Sequence, residues 1–147
     1  MQLATAGTGI HTSDASTNVI PAGSSEQVHA AWALHAGLVT RSLKRGIYQG
    51  WDMHPGHLPT RFIATFAFYR QDFAPAAARL ANYIGRVDSA VMDEPATARA
   101  LARYVSRGYA CGAMSADEVT AGCGLNPHDL ATLARDRSDT ESLRRSP

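Results

Sequence analysis

The sequence predicts an α/β chain in which helices predominate, and the stretch from Gly46 to Pro59 organises it. Gly46 stops an amphipathic helix, since glycine accepts the left-handed conformation that follows many helix ends. Residues Ile47–Met53 then alternate apolar and polar side chains well enough for one short strand. A proline shortly afterwards ends this strand, because proline cannot donate to a sheet ladder. A helix, a short buried strand and a polar turn form an α/β unit, and chemistry in such units collects in the turn.

Helices are predicted on both sides of this stretch. Ser24 caps the preceding helix and Gln27 completes a capping box, with apolar residues at helical spacing from Val28 to Leu43. His35 lies on that apolar stripe, and a core or boundary histidine is the favoured interpretation. Later helices are predicted at residues 60–73, 76–84, 95–109, 116–119 and 127–134, the fourth with a capping box from Ser115 and Glu118.

The N-terminal residues predict extended chain and loop. Gln2–Ala6 is a plausible strand, and Thr17–Ile20 a further extended piece. Gly7-Thr8-Gly9 could cradle a phosphate, but its spacing matches neither a P-loop nor a dinucleotide fingerprint, which favours a glycine-rich loop between a strand and a helix. Asp14 has an ordinary explanation as a loop or cap residue.

Composition excludes several classes of protein. The 147 residues suit one domain, and a net charge of +1 gives no electrostatic reason to expect nucleic acid or an anionic membrane as a partner. Cys111 and Cys123 make no disulfide framework and are expected to stay reduced, as in a cytoplasm. The sequence has no apolar run long enough to span a membrane and no secretory signal, so a cytoplasmic protein is expected.

Asp52, His54 and His57 form a cluster whose side chains are proper ligands for zinc or iron. The cluster lies on a turn broken by Pro55 and lacks the helical spacing of known metal motifs. Spacing alone therefore leaves a metal site as the minor alternative to a polar turn.

Three short motifs follow one another in the order found in a known family. They are Gly9–Pro21 with Ser13-Asp14, then Met53-His54-Pro55 at the end of the short strand, then Val91–Pro95 before a helix. The second resembles the Ile-His-Pro turn of the HpcH/HpaI aldolase and citrate lyase β-subunit superfamily. The third is similar to that family's Val-Asp-x-Pro motif, and the first resembles the penultimate strand and loop of one barrel subgroup.

The resemblance implies the C-terminal portion of a (β/α)₈ barrel of the TIM type, with a helical C-terminal extension. Residues 1–70 would hold the last strand–helix units of the barrel, and residues 71–134 would form the helical extension or lid. Residues 135–147 are charged, rich in serine and without an apolar stripe, which predicts a disordered tail. A complete barrel needs about 250 residues, so this chain would carry only part of one.

The implied activity is that of a lyase. Such enzymes cleave or form a carbon–carbon bond in a 2-oxo acid or acyl thioester, through an enolate stabilised by Mg²⁺. By resemblance Asp93 and His54 are the catalytic candidates, and Asp14 and Asp52 the substrate-binding ones. Capping of the following helix also accounts for Asp93. The metal carboxylates of the family would lie upstream of Met1, so no metal ligand is expected in this chain, and the chain alone is expected to be inactive.

The expected partners are a small-molecule substrate and either further copies of the chain or a second chain that supplies the rest of the barrel. Neither nucleic acid nor a membrane is expected. Two alternatives stay open: a non-catalytic helical module for binding or assembly, and a helix-turn-helix regulator built from residues 116–134. The second helix of that pair offers few donors for base edges and carries Asp129 in its first turn, which disfavours the regulator.

Overall fold

The computed structural model describes residues 12–85 and 95–135. Helices dominate these ranges, which confirms the prediction of a mostly helical chain. In chain order they are α1 (Ser25–Lys44), a 3₁₀ turn (Pro55–His57), α2 (Leu58–Gln71), α3 (Phe73–Gly85), α4 (Pro95–Ala110), α5 (Ala116–Cys123) and α6 (Pro127–Ala134). No helix in the described ranges is long and apolar enough to cross a membrane.

The chain divides into two compact units, Met1–Phe68 and Tyr69–Pro147, and the boundary falls within α2. Four sequence predictions lie outside the described residues. They are the strand at residues 2–6, the glycine-rich loop at residues 7–9, the motif at residues 91–94 with Asp93, and the tail after residue 135.

Both ends of α1 are closed by hydrogen bonds that the sequence predicts. The Ser24 hydroxyl accepts from the Gln27 amide and the Gln27 side chain accepts from the Ser24 amide, so the capping box forms. At the other end Gly46 has φ +75°. The Gly46 amide donates to Leu43 and the Ile47 amide donates to Ser42, a pair of bonds that makes a Schellman closure.

The predicted strand at residues 47–53 does not form, which corrects the sequence interpretation. A single parallel bridge joins Gln49 to Ser13, and the Asp14 amide donates to the Gln49 carbonyl at 3.2 Å. A strand needs a ladder of such bonds. Within the described ranges, residues 47–53 pair with a neighbouring segment only through the bridge to Ser13. The apolar face expected to be buried is open, with Trp51 64% and Met53 53% exposed. The extended piece at residues 17–20 is likewise irregular.

The first unit has a small core made of α1, α2 and the segment after the bridge. Ala15, Val39, Leu43 and Ala64 are buried together, and Phe68 packs on their edge. Ala15 takes φ +66°, a left-handed conformation that costs a non-glycine residue about 1–2 kcal/mol. Burial against α1 holds it there. A portion of a barrel would need a β-sheet packed against these helices. The described residues form a single β-bridge and no sheet.

The second unit is an all-helical cluster in its described part. Helix α4 packs against α3 and α6, and α3 also packs against α5. Leu80, Val105, Val119 and Leu130 are fully buried among these helices. Ser115 and Glu118 form the predicted capping box. The Ser115 amide, with Arg70 at 3.1 Å, lowers the pKa of the Glu118 carboxyl.

The Ser24 cap gives a test of the first unit. Replacing Ser24 by alanine removes the acceptor for the Gln27 amide, and such losses cost about 1 kcal/mol. Ser25→Ala is the matched control, because Ser25 is already inside the helix. Both tryptophans of the chain lie in this unit, so urea unfolding followed by tryptophan fluorescence reports on it. Equal midpoints for the two variants would contradict the capping role.

Candidate functional site

The polar turn at residues 52–57 is held in the first unit by three hydrogen bonds. The Trp32 indole on α1 donates to the Gly56 carbonyl at 2.8 Å. The His57 ring bonds the Val19 carbonyl at 3.0 Å, which links the turn to the segment before α1. The turn itself closes through the Gly56 amide, which donates to His54 Nδ1 at 3.0 Å. These bonds fix the side chains of the turn between α1 and the start of α2.

His35 enters the site from α1 and is fully buried. Its Nδ1 lies 2.8 Å from the Thr60 hydroxyl, and that hydroxyl donates its one hydrogen to the His57 carbonyl at 3.0 Å. The hydroxyl must therefore accept from His35, which places the ring hydrogen on Nδ1. In neutral His35 the lone pair is then on Nε2, and no hydrogen bond reaches that atom.

His57 has the complementary arrangement. A carbonyl oxygen only accepts, so the bond from Nε2 to Val19 places the His57 ring hydrogen on Nε2. Its lone pair is then on Nδ1, which is buried and also lacks a hydrogen-bond partner. The His35 and His57 rings are stacked, with centroids 4.4 Å apart and planes inclined by 18°.

Asp52 faces both the buried rings and an arginine. Arg61, in the first turns of α2, donates from Nε to both carboxylate oxygens at 3.1 Å and from Nη2 to Oδ1 at 2.8 Å. Asp52 Oδ1 also lies 3.0 Å from His35 Nε2, but the contact lacks the geometry of a hydrogen bond. Gly50 leaves room for the guanidinium, since a Cβ there would clash with it.

The charges follow from these contacts. Burial lowers the pKa of His35, and His57 and Arg61 lower it further against the opposing effect of Asp52. Burial alone would raise the pKa of Asp52, but the hydrogen bonds and charge of Arg61, with His35, bring it below its usual value. At neutral pH the site therefore holds an ionised Asp52 and a neutral His35.

His35 Nε2, His57 Nδ1 and a carboxylate oxygen of Asp52 all lie within 4.8 Å of one another. Three acceptor atoms thus converge in a largely buried place. Arg61, a charged donor beside them, binds the carboxylate and not the rings. Imidazole nitrogen and carboxylate oxygen suit zinc and similar ions. They do not suit Mg²⁺, which takes oxygen ligands in an octahedral array.

The sequence candidates lie in different places relative to this cluster. Asp52 and His54 line one shallow depression together with Met53, Pro55 and Leu58. Asp14 lies beside Gln49 through the backbone bond of the parallel bridge, and its side chain is half-buried. Of the proposed trio Asp52, His54 and His57, the structure gathers two around a ligand position, and His35 takes the third place instead of His54.

Comparison with known proteins places the chain in a family. The profile of a domain of unknown function, DUF6986, matches residues 1–138. The chain belongs to the DUF6986 family. Searches of curated proteins and of solved structures found no match.

Sequence reasoning alone missed three residues of this DUF6986 site, although each carried a signal. Arg61 is a cation near the start of a helix, where the helix dipole disfavours it and an anionic partner offsets the effect. His35 was expected in the core, and it is there, but one of its nitrogens is unpaired. Thr60 bridges the two histidines because helix α2 begins just before it.

Thr60 gives a test of the buried network in this DUF6986 chain. Replacing Thr60 by valine keeps the shape but leaves the His35 Nδ1 hydrogen and the His57 carbonyl without a partner, which costs about 1–3 kcal/mol. Thr65→Val is the matched control, since Thr65 is half-buried on the same helix. Urea unfolding followed by tryptophan fluorescence compares them. A Thr60 variant no less stable than the Thr65 variant would contradict the bridging role.

Proposed function

We propose that this chain is the C-terminal part of a carbon–carbon lyase that acts on a 2-oxo acid or an acyl thioester through a metal-stabilised enolate. The supporting observation is the parallel bridge between Ser13 and Gln49. It joins the two segments whose motifs resemble the aldolase superfamily, in the direction that neighbouring strands of a barrel require. Asp14 follows one side of the bridge, and Asp52 and His54 follow the other.

His54 would meet the substrate as a hydrogen-bond donor. Its Nδ1 accepts from the Gly56 amide, so the hydrogen of the neutral ring is on Nε2. His54 lines the depression beside Asp52, whose side chain is 14% exposed. An Nε2–H donor beside a carboxylate can hold a substrate carbonyl oxygen and pass it a proton as the carbon–carbon bond changes. In this proposal Asp93, outside the described residues, is the second acid or base.

The Mg²⁺ implied by the resemblance would supply charge stabilisation in the complete enzyme. The described residues that gather around a ligand position include two imidazoles, which do not fit this ion. Its carboxylate ligands are therefore placed, in the proposal, on barrel strands outside this sequence. Large apolar side chains in the first unit remain exposed, including Trp51, Phe62 at 54% and Ile63 at 65%. They would pack against that remaining part of the barrel, in the same or another chain.

A second candidate uses the same exposed side chains. Exposed large apolar residues can mark an interaction surface when they adjoin one another, so a non-catalytic module for assembly would also present Trp51, Phe62 and Ile63. The two candidates differ at the His54 turn, because only the lyase requires that turn to bind a small carboxylic acid.

Binding of pyruvate and of oxalate, an enolate analogue, to the ¹⁵N-labelled chain tests the lyase. We expect weak binding that shifts amide signals around Asp14 and from Asp52 to His57. His54→Ala should weaken it, and His128→Ala, an exposed histidine in the second unit, should not. No shift at the turn with either ligand would reject the lyase in favour of the assembly module.

Activity of the isolated chain tests where the metal ligands lie. With Mg²⁺ and a 4-hydroxy-2-oxo acid, we expect weak Mg²⁺ binding by calorimetry and no aldol cleavage above background. Tight Mg²⁺ binding with turnover by this chain alone would contradict the placement of the metal carboxylates outside it.

A further inference from the structure

We infer that His35, Asp52 and His57 form a binding site for a divalent transition ion of the zinc class, separate from any Mg²⁺ site. The inference does not rest on the lyase proposal. It rests on two buried nitrogen atoms, His35 Nε2 and His57 Nδ1, that face a carboxylate and have no hydrogen-bond partner. A buried polar atom left unpaired costs about 1–3 kcal/mol, so two of them in one place need a physical explanation.

The opposite nitrogens of the two rings supply that explanation. His35 Nδ1 donates to the Thr60 hydroxyl, and His57 Nε2 donates to the Val19 carbonyl. Histidines that bind metal almost always donate their other ring hydrogen to such an acceptor, which orients the ring and raises its basicity. Here both rings are oriented in this way, and both lone pairs are directed into the cluster.

The third ligand is already in the required charge state. Arg61 holds Asp52 ionised, and a carboxylate has about four lone-pair positions, of which the guanidinium occupies part. The positive charge of Arg61 opposes a cation, and the negative charge of Asp52 with the two unpaired imidazole nitrogens favours one. Two nitrogens and one oxygen match zinc, iron, nickel or cobalt rather than Mg²⁺ or Ca²⁺.

Binding would change the geometry of the cluster. An ion at about 2.0–2.2 Å from each ligand holds tetrahedral ligand atoms about 3.4 Å apart. His35 Nε2 and Asp52 Oδ1 are already 3.0 Å apart, and all three ligand atoms lie within 4.8 Å of one another. The ion must also lie near the plane of both rings, so the His35–His57 stack opens when it binds. Asp52 lies at the surface of the depression shared with His54, which gives the ion access and leaves a fourth position for water.

Such an ion would join α1 to the polar turn that precedes α2 within the first unit. Metal binding to the folded state alone stabilises it by mass action. Zn²⁺ should therefore raise the temperature at which the tryptophan fluorescence of this unit changes, and Mg²⁺ at the same concentration should not.

Calorimetric titration of the chelator-treated full chain with Zn²⁺ tests the site. We expect one ion per chain with micromolar or tighter affinity, weakened at least tenfold in His57→Gln and in Asp52→Asn. Thr60→Val should weaken it about 10–100-fold by releasing His35, and Thr60→Ser, which keeps the hydroxyl, should restore it. His29→Ala and Cys111→Ser are controls for other ligands and should bind as the unchanged chain does.

Co²⁺ provides a readout that needs no variant. Bound in this cluster, it should broaden the amide signals nearest His35, Asp52 and His57 and give no thiolate charge-transfer band. Broadening centred on Cys111 or Cys123, the absence of Zn²⁺ binding, or equal affinity in the His57 and Asp52 variants would each overturn the inference.

Discussion

Two buried imidazoles that turn their lone pairs toward one carboxylate are the constraint on which the rest of the first unit depends. Each ring is fixed by the hydrogen bond on its far side, one to the Thr60 hydroxyl and the other to the Val19 carbonyl. The Thr60 hydroxyl lies on α2 and the Val19 carbonyl lies before α1. The tautomers of the two rings therefore depend on the tertiary structure. These tautomers leave His35 Nε2 and His57 Nδ1 unpaired, and the proposed cation would satisfy both atoms.

The same contacts hold the polar turn in place, and the turn holds the residues proposed to act on a substrate. Trp32 and His35 reach it from α1, and Arg61 reaches it from α2. A site supported by two helices is more rigid than one carried by a free loop. His54 is half-buried and lines the depression beside Asp52, so the proposed ion and the proposed substrate donor would share one support and the Asp52 carboxylate.

Local patterns predicted the helices well and the tertiary cluster only in part. The capping boxes at Ser24 and Ser115 and the stop at Gly46 are local events, and all three form as predicted. The strand at residues 47–53 was wrong because a strand depends on neighbours that its own sequence does not encode. His35 and Asp52 are far apart in sequence, so no spacing rule brings them together. Arg61 gave a weak signal, since the helix dipole disfavours a cation at a helix start and an anionic partner offsets this.

The hydrogen positions on His35 and His57 test the central claim most directly. Nitrogen-15 NMR of the imidazole rings at neutral pH, in the chelator-treated chain, identifies which nitrogen carries the hydrogen in each ring. We expect hydrogen on Nδ1 of His35 and on Nε2 of His57, with His35 neutral. A hydrogen on His35 Nε2 or on His57 Nδ1 would place a donor inside the cluster, and the converging lone pairs would not exist.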